Sequence, residues 1–417
     1  MAIIEEGTCL IKFVNQQGLG CGKTPLGLVE VPYSLPNEII SFERHEYRRQ
    51  SNCLLKKIEQ SSVHRIIPEC KYFGRCGGCM LQHMDQQTYD DFKLSLIKNV
   101  LPSSVVINPI VTIPKGNRRR VNLQALKKDE RIFLGFYRFH SHQIIDIDSC
   151  PAIMSSLSEI LIPLKEMFMN ILEHRQKAEI FLTQASNGID MLIELQNLAS
   201  LTLKQDVGLK DFAKKNGIIR LQLRLLDKTN TLFESEKPYI LLGNKKVATD
   251  AKCFLQASFL SDQILVELVE RYLPQEEATV ADLFCGRGTF SLPLNKRFKI
   301  EGFESDVKAL HALEEAAEGT IKLYKRDLFT TPLTKAELQS YRFVIINPPR
   351  AGALKQIKEL AYSTCKIIVY ISCNPESFAS DAAILEKGKY KLVEVTPVDQ
   401  FYWSSHLEIV GIFALTE

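Results

Sequence analysis

Six apolar runs follow one another from about residue 246 to the end of the chain, and their spacing restricts the fold more than any other feature. Each run has the length of a strand, and helical or loop segments separate the runs. Such alternation is typical of a doubly wound sheet in an α/β protein. We therefore predict an α/β domain over 246–417. Its strands are expected in ATVADLF, FKIEGFE, RFVIINPP, KIIVYISC, LVEVTPV and HLEIVGIFAL.

The first 245 residues follow other patterns. Residues 1–65 carry short apolar runs broken by Gly, Pro and Asn, which favours a small β-barrel. Residues 66–245 combine strand-like pieces with one helix at about 151–175, so we expect a mixed α+β domain there. A further amphipathic helix at about 84–101 is stopped by Pro102 and is a candidate to pack on the C-terminal domain. The predicted central strands are RRRVNLQAL, RIFLGFYR, EIFLTQA, GIDMLIELQ and GIIRLQLRLL.

The N-terminal stretch MAIIEEGTCL has acids where a signal peptide has bases, and no apolar run approaches membrane-spanning length. We therefore expect a cytoplasmic protein without a membrane partner. Thiols stay reduced in that compartment, so the 11 cysteines are not expected to form a disulfide framework. The net charge of +3 says little about partners.

Three cysteines lie close together in CKYFGRCGGC, with glycines between them. Cys70, Cys76 and Cys79 have a spacing that needs a cation if the thiolates are to share one site, and the glycines allow the backbone to fold tightly around it. Cys150, followed by proline, is the best fourth ligand and favours a [4Fe–4S] cluster. Zinc held by three cysteines and His83 is the second interpretation, and inert buried cysteines are the third.

A glycine turn follows the first strand of the C-terminal domain, in ATVADLFCGRGTFSLPL. Glu304, at the end of the next strand, is placed to bind both ribose hydroxyls of a nucleoside cofactor. Asp327 ends the following strand, where an acid often faces the adenine amino group. The turn is shorter than a dinucleotide pyrophosphate needs, so S-adenosyl-L-methionine fits better. The alternative is that both acids are ordinary loop caps.

Two chemical groups near the C-terminus suggest one type of reaction. Cys373 ends an apolar strand at a polar turn, and Glu408 is the only acid inside another apolar strand. Burying a carboxylate is costly unless it is paired or used. Beside a methyl donor, the thiolate can add to an electron-poor ring carbon and activate the neighbouring carbon, whose proton a base then removes. A lone strand cysteine, however, is more often a core filler.

Several motifs occur together in an order that resembles the RNA 5-methyluridine methyltransferases, specifically their iron–sulfur branch with an RNA-binding TRAM barrel. These motifs are CKYFGRCGGCMLQH, CFLQAS, DLFCGRGTFSLPL, NPPRAG, YISCNP and HLEIVGIF. The resemblance implies a class I methyltransferase domain and a flipped target uridine, with 23S rRNA as the substrate and tRNA as the alternative. It makes Cys373 the nucleophile at uracil C6 and Glu408 the base that removes the C5 proton.

The resemblance also implies ligand-contacting residues. The cofactor positions are Gln256, Phe284, Thr289, Glu304, Asp327 and Asn347. Asn347 departs from the family, which usually has Asp there, so cofactor affinity or base preference is expected to differ. The candidate RNA contacts are Arg118, Arg119, Arg120, Tyr137 and Arg138. A solvated basic strand edge is the alternative for each of them.

Other functions fit the sequence less well. NPP also occurs in adenine-N6 methyltransferases, but Arg350 follows here where those enzymes place an aromatic residue, and they need no Cys373. A decayed RNA-binding iron–sulfur protein would not need both Cys373 and Glu408. A radical enzyme would commonly have a different cysteine spacing and only three thiols. We expect a monomer.

Overall fold

The computed structural model describes residues 2–47, 50–196, 200–273 and 278–416. The front of the chain forms a five-stranded antiparallel sheet in the order β3-β2-β1-β4-β5. Its strands are β1 (Ala2–Val14), β2 (Leu19–Thr24), β3 (Gly27–Pro32), β4 (Ile39–Tyr47) and β5 (Gln50–Gln60). Among the described residues β3 and β5 approach each other without hydrogen-bonded pairing, so a closed barrel stays a prediction.

The segment after the cysteines leaves the central region and joins the C-terminal sheet. Helix α1 (Gln86–Lys98) begins at Asp85, whose side chain accepts a hydrogen bond from the Thr88 N–H. It is followed by β6 (Val106–Ile107) and β7 (Val111–Thr112), which pair in parallel with a late strand, β22 (Tyr390–Asp399). The predicted helix at about 84–101 is therefore present and packs on the C-terminal domain.

The central region is a seven-stranded mixed sheet in the order β10-β9-β8-β11-β12-β13-β14. Four of the five predicted strands agree with observed strands to within two residues at each end. The fifth, β8, begins at Arg120, two residues later than predicted. The predicted single helix at 151–175 is wrong, because it is two helices that separate after Glu159. Pro163 explains the break. Proline has no N–H to donate to the Glu159 carbonyl four residues earlier, and its ring would collide with that carbonyl in a continuous helix. The elements are β8 (Arg120–Lys128), β9 (Arg131–Tyr137), β10 (Ile144–Asp146), α2 (Ser155–Glu159), α3 (Leu161–Ile171), β11 (Lys177–Ala185), β12 (Gly188–Leu195), α4 (Leu203–Lys215), β13 (Ile218–Leu225) and β14 (Lys228–Glu234).

The C-terminal domain is a mainly parallel sheet with helices on both faces, as the sequence predicts. Its strand order is β19-β18-β17-β20-β21-β23-β22-β6, and β23 alone runs antiparallel to both of its neighbours. The order reverses between β17 and β20, and ligands of such sheets bind beyond the carboxyl ends of the strands at that point. A hairpin, β15 (Tyr239–Leu242) with β16 (Lys245–Ala248), precedes the domain. The remaining elements are α5 (Phe259–Tyr272), β17 (Thr279–Leu283), α6 (Ser291–Leu294), β18 (Lys299–Glu304), α7 (Val307–Ala317), β19 (Lys322–Lys325), α8 (Lys335–Leu338), β20 (Phe343–Ile346), α9 (Leu354–Leu360), β21 (Ile367–Ser372), α10 (Pro375–Lys387) and β23 (Glu408–Leu415).

Two apolar cores cover the two faces of this sheet, and α1 belongs to one of them. Tyr89, Phe92, Leu96 and Ile97 of α1 are buried in the same cluster as Tyr370 and other residues of the C-terminal sheet. The α5 and α7 helices fill the other face. Within the described ranges, no helix is both long enough and apolar enough to cross a membrane.

Candidate active site

Cys373 and Glu408 face each other at the ends of neighbouring strands. In the antiparallel pair of β21 and β23, Ser372 lies opposite Ile409, so the next residue after β21, Cys373, comes opposite the first residue of β23, Glu408. Burial, together with the Glu408 charge, raises the pKa of Cys373 to about 11, while the Arg350 charge acts in the opposite direction. The structure therefore brings together the two residues that the sequence singled out for chemistry.

Glu408 is a buried carboxyl group with one hydrogen-bond donor. Only 3% of its surface is exposed, and burial raises its pKa to about 7. Gln400 Nε2 donates to Glu408 Oε2 at 2.6 Å and, at 3.1 Å, to Gln256 Oε1. Gln256, predicted as a cofactor contact, is thereby linked to the general-base candidate. Sequence reasoning missed Gln400, because its partner Gln256 is 144 residues away along the chain.

The glycine turn after β17 is held by the acid that ends β18. Gly286 and Gly288 both have positive φ, and a Cβ at Gly288 would collide with Leu313. Glu304 Oε2 accepts from the Gly286 N–H at 3.0 Å, and its Oε1 accepts from the N–H groups of Ser305 and Asp306. Glu304 thus caps its own loop and the turn at once. A Cβ at Gly286 would meet nothing within 4 Å, so open space lies in front of the turn.

The other predicted cofactor positions lie along the same edge of the sheet. Phe284 follows β17 with a φ of 61°, and its ring lies 5.2 Å from that of Phe329. Asp327, after β19, accepts from the Phe329 N–H at 2.9 Å. Thr289 follows the glycine turn directly and is partly buried. Their contact with a cofactor stays a prediction, since the acids also serve as the loop caps that we considered as the alternative.

Asn347 follows β20 at the point where the strand order reverses. Its N–H donates to the Leu283 carbonyl at 3.3 Å, while its side-chain amide has no hydrogen bond to any residue that the structure describes. The same loop is tied to the segment after β21, because Asn374, next to Cys373, donates from Nδ2 to the Arg350 carbonyl at 3.1 Å.

The four predicted cluster ligands come close together. Burial, together with the charges of Cys150, Cys76 and Cys70, raises the pKa of Cys79 to about 12. The Gly78 N–H donates to Cys76 Sγ at 3.5 Å. In the part of the chain that the structure describes, however, no group of three or more His, Cys, Asp or Glu side chains is arranged to hold a metal ion. The thiols are neighbours, and the metal site stays a prediction.

His83 lies in a different environment from these cysteines. Its ring is 0% exposed and packs 5.4 Å from that of Phe73. Burial, together with the Arg65 charge, lowers its pKa to about 3. The charges that act on Cys79 come from the other three cysteines, and His83 is not among them, so the choice between Cys150 and His83 as the fourth ligand stays a prediction.

One of the predicted RNA contacts is wrong. Arg119 is fully buried, with Nη1 at 2.9 Å from Asp262 Oδ2 and Nε donating to the Gln256 carbonyl at 3.0 Å. It lies inside because side chains alternate in direction along an extended chain, so the middle arginine of the three faces the core. Arg120 is also turned to the protein, donating to the Leu255 carbonyl, whereas Arg118, Tyr137 and Arg138 remain partly exposed.

A basic groove of about 850 Å³ lies between the N-terminal sheet, the cysteine segment and the turn after β9. Its aromatic lining includes Phe139 and His140, whose rings stack at 3.9 Å. Arg44, Lys56, Lys57 and Arg65 in the lining are paired with carboxylates. Arg75 and Arg138 have no carboxylate partner among the described residues. We call this feature, defined by the residues named here, the basic groove.

Comparison with known proteins gives a consistent result. The family model for tRNA (uracil-5-)-methyltransferases matches residues 110–416. An uncharacterized RNA methyltransferase of Agrobacterium fabrum is 35% identical, over 97% of this chain and 98% of its own. The 23S rRNA (uracil(1939)-C(5))-methyltransferase RlmD of Mannheimia succiniciproducens is 31% identical, over 96% and 94%.

A solved structure is similar along nearly the whole chain. The tRNA (uracil-54, C5)-methyltransferase of Pyrococcus abyssi, in complex with S-adenosyl-L-homocysteine, superposes with a TM-score of 0.75 at 23% identity, covering 98% of this chain and 99% of that one. This likeness shows a shared fold. The family match and the relatives confirm the resemblance that the motifs indicated, and the chain belongs to the tRNA (uracil-5-)-methyltransferase family.

Proposed function

We propose that this protein methylates C5 of a uridine in RNA, with S-adenosylmethionine as the methyl donor. The observation that carries the proposal is the placement of Cys373 opposite Glu408 at the ends of β21 and β23. Membership of a uracil-5 methyltransferase family supports the same chemistry. Neither residue is needed for methylation at an exocyclic amino group.

Cys373 and Glu408 have complementary roles in this reaction. The Cys373 thiolate adds to C6 of the flipped uracil, and the ring electrons that this bond displaces make C5 nucleophilic. After C5 has become methylated, Glu408 removes the C5 proton. The electrons of that C–H bond restore the ring double bond, and the bond between C6 and sulfur breaks. Glu408 has a pKa of about 7, which suits it to this role near neutral pH. At that pH a fraction of the carboxyl is ionised, and the carboxylate is basic enough to accept a proton.

The residues beyond the strand ends fit the donor. S-adenosylmethionine, when bound, would supply an activated methyl group. The open space in front of Gly286 and the carboxylate of Glu304 beside it suit a ribose, and Phe284 offers an apolar surface. The free Asn347 amide would bind donor or base at the same edge. An amide also donates hydrogen bonds, whereas the family's usual carboxylate only accepts them.

We propose 23S rRNA as the substrate. A relative that carries the name of a 23S rRNA uracil-C5 methyltransferase aligns with this chain along nearly its full length. The basic groove, with the stacked pair Phe139 and His140 and the unpaired Arg75 and Arg138, has the character of a single-stranded RNA surface. The tRNA alternative is favoured by the solved structure with the same fold, which is named as a tRNA enzyme.

We also propose that Cys70, Cys76, Cys79 and Cys150 hold a [4Fe–4S] cluster. The mutual effect of their charges and the Gly78 N–H donated to Cys76 support it, because hydrogen bonds to sulfur are typical of such sites. Anaerobically purified protein is expected to contain about four iron and four sulfide per chain. Loss of iron is expected in Cys150→Ser, with Cys365→Ser, a buried cysteine elsewhere, as the matched control. Protein that contains zinc instead of iron would contradict this assignment.

The proposed activity is tested by methyl transfer. Purified protein is incubated with methyl-labelled S-adenosylmethionine and either 23S rRNA fragments or tRNA transcripts, and the modified nucleoside is identified by mass spectrometry. We expect 5-methyluridine in the rRNA, absent with Cys373→Ala. Labelled 5-methyluridine in tRNA only would show that the substrate is tRNA and not 23S rRNA. Labelled N6-methyladenosine would contradict methylation at uridine C5.

A further inference from the structure

Gln400 connects three parts of the site through one buried amide. It directly follows β22 and is 6% exposed. Its Nε2 donates to Glu408 Oε2 at 2.6 Å and to Gln256 Oε1 at 3.1 Å, and its Oε1 accepts from the Ala257 N–H at 3.2 Å. Each polar atom of the amide therefore has a partner.

These contacts allow one orientation of the amide. Rotating it by 180° would place the Gln400 oxygen against Glu408 Oε2 and Gln256 Oε1, and its NH₂ group against the Ala257 N–H. Acceptor would face acceptor and donor would face donor at all three contacts. The orientation of Gln400 therefore follows from its surroundings, and its donor hydrogens are directed at Glu408 and Gln256.

Both supports of this amide are themselves fixed. The Gln256 carbonyl accepts from Arg119 Nε at 3.0 Å, and Arg119 is paired with Asp262 in the core. Asp399, next to Gln400, accepts from Tyr89 and from Lys93 of α1. Because Gln400 is fixed through both of these neighbours, it can in turn fix the orientation of Glu408.

We propose that Gln400 is the positioning residue of the general base: it binds one oxygen of Glu408 and leaves the other for the C5 proton. This inference rests on the proposed function. Oε1 of Glu408 makes no hydrogen bond to any residue that the structure describes, whereas Oε2 is held. Gln400 also favours the ionised form of Glu408, because a hydrogen bond donated to a carboxylate oxygen opposes the effect of burial.

The consequence for pH has a definite sign. The hydrogen bond from Gln400 lowers the pKa of Glu408 against the opposing effect of burial. Without the bond, the pKa of Glu408 rises, so a higher pH is needed to ionise the base. The acid limb of the pH–rate profile for proton abstraction, where the rate falls because the base is protonated, then moves to higher pH. A purely structural role for Gln400 would lower the amount of folded protein without moving that limb.

The test compares Gln400→Met with wild type on an RNA substrate carrying tritium at uridine C5. Methionine has a similar volume and no donor. We expect tritium release to be at least about tenfold slower, with the acid limb displaced upward by about one pH unit. Because C6 addition precedes proton removal, a covalent adduct between protein and methylated RNA should accumulate with ordinary uridine.

Gln356→Met is the matched control. Gln356 is a fully buried glutamine whose amide binds the Leu333 backbone, away from Cys373 and Glu408. It should change the unfolding temperature and leave the acid limb in place. Where Gln400→Met does not fold, Gln400→Glu keeps the shape. A second carboxylate beside Glu408 disfavours the ionised form of the base, so the acid limb should again move upward and the loss of rate should shrink as the pH rises.

Unchanged release, acid limb and adduct level in folded Gln400→Met would overturn the positioning role while leaving the proposed function in place. Wild-type protein that releases no tritium from 23S rRNA fragments or from tRNA would overturn the proposed function itself. The two failures are therefore distinguishable in one experiment.

Discussion

The ionisation of Cys373 depends on burial and on two neighbouring charges of opposite sign. Burial and the Glu408 charge raise the pKa of Cys373, whereas the Arg350 charge lowers it. At neutral pH the free enzyme therefore keeps Cys373 mainly protonated. Arg350 is an exposed side chain whose positive charge favours the thiolate, and a backbone hydrogen bond at Cys373 acts in the same direction.

Replacing Arg350 by Gln should raise the pKa of Cys373, because a neighbouring positive charge is lost. Alkylation of Cys373 by iodoacetamide then becomes slower at a given pH, and its midpoint moves upward. Peptide mass spectrometry measures the rate at this cysteine among the 11. Lys358→Gln, an exposed cation on α9, is the control. Equal pH profiles for Arg350→Gln and wild type would show that Arg350 does not act on the thiol.

Sequence reasoning worked best for residues whose role is visible locally. Cys373 and Glu408 could be singled out because a thiol at a strand end and a lone acid in an apolar strand are unusual in themselves, and the structure places them opposite each other. Arg119 was misassigned because the string Arg118 to Arg120 does not show which side chain faces inward. Gln400 was missed because its role depends on contacts with distant Gln256 and with Glu408, which only the folded sheet brings together.

Helix α1 is joined to the C-terminal sheet by a buried ion pair. Lys93 Nζ lies 2.7 Å from Asp399 Oδ1, and both side chains are fully buried. Tyr89 donates to the same carboxylate, and Lys93 also donates to the His406 carbonyl. The pair fixes the end of β22, which Gln400 follows directly, so α1 indirectly supports the hydrogen bond from Gln400 to Glu408.

Removing one partner of this pair should be costly. Lys93→Met or Asp399→Leu alone is expected to lower the free energy of unfolding by about 3–5 kcal/mol, since an uncompensated buried charge remains. The double variant should lose clearly less than the sum of the two. Urea unfolding monitored by circular dichroism measures all three, with exposed Lys98→Met expected to change stability by about 0.5 kcal/mol or less. Additive losses would contradict the coupling.

The order of strands and helices in the C-terminal domain could be predicted from apolar periodicity, whereas pairing between distant segments could not. The two short strands β6 and β7 have no local pattern that distinguishes them from loop, and they exist because β22 offers them an edge. The break between α2 and α3 was visible in principle, since Pro163 marks it. The four cysteines are neighbours, as their spacing in the sequence suggested. Their proximity does not test whether they hold a metal.

At the scale of the whole molecule, RNA would have to reach from the basic groove to Cys373. The groove belongs to the N-terminal sheet and the central domain, and the strand ends belong to the C-terminal domain. Affinity and chemistry are therefore expected to separate under mutation. Changes in the groove should affect binding, and changes at Cys373 or Glu408 should affect turnover.

The double variant Arg75→Ala and Arg138→Ala should weaken RNA binding without altering turnover at saturating RNA. Each lost phosphate contact makes the plot of log affinity against log salt less steep, by about 1.4 in total for two contacts to a single strand. Filter binding at several salt concentrations measures it. Lys214→Ala with Lys215→Ala, exposed at the end of α4, removes the same charge elsewhere and should have little effect. A slope equal to that of wild type would exclude the groove as the RNA surface.

Covalent trapping on 5-fluorouridine RNA tests the central claim most directly. Glu408 cannot remove fluorine from C5, so a uracil-C5 methyltransferase that adds Cys373 to C6 stops as a protein–RNA adduct after methylation. We predict an adduct with 23S rRNA fragments that depends on S-adenosylmethionine, is absent with Cys373→Ala, and resists denaturation. No adduct with either rRNA or tRNA, from folded protein purified anaerobically, would contradict the proposed mechanism.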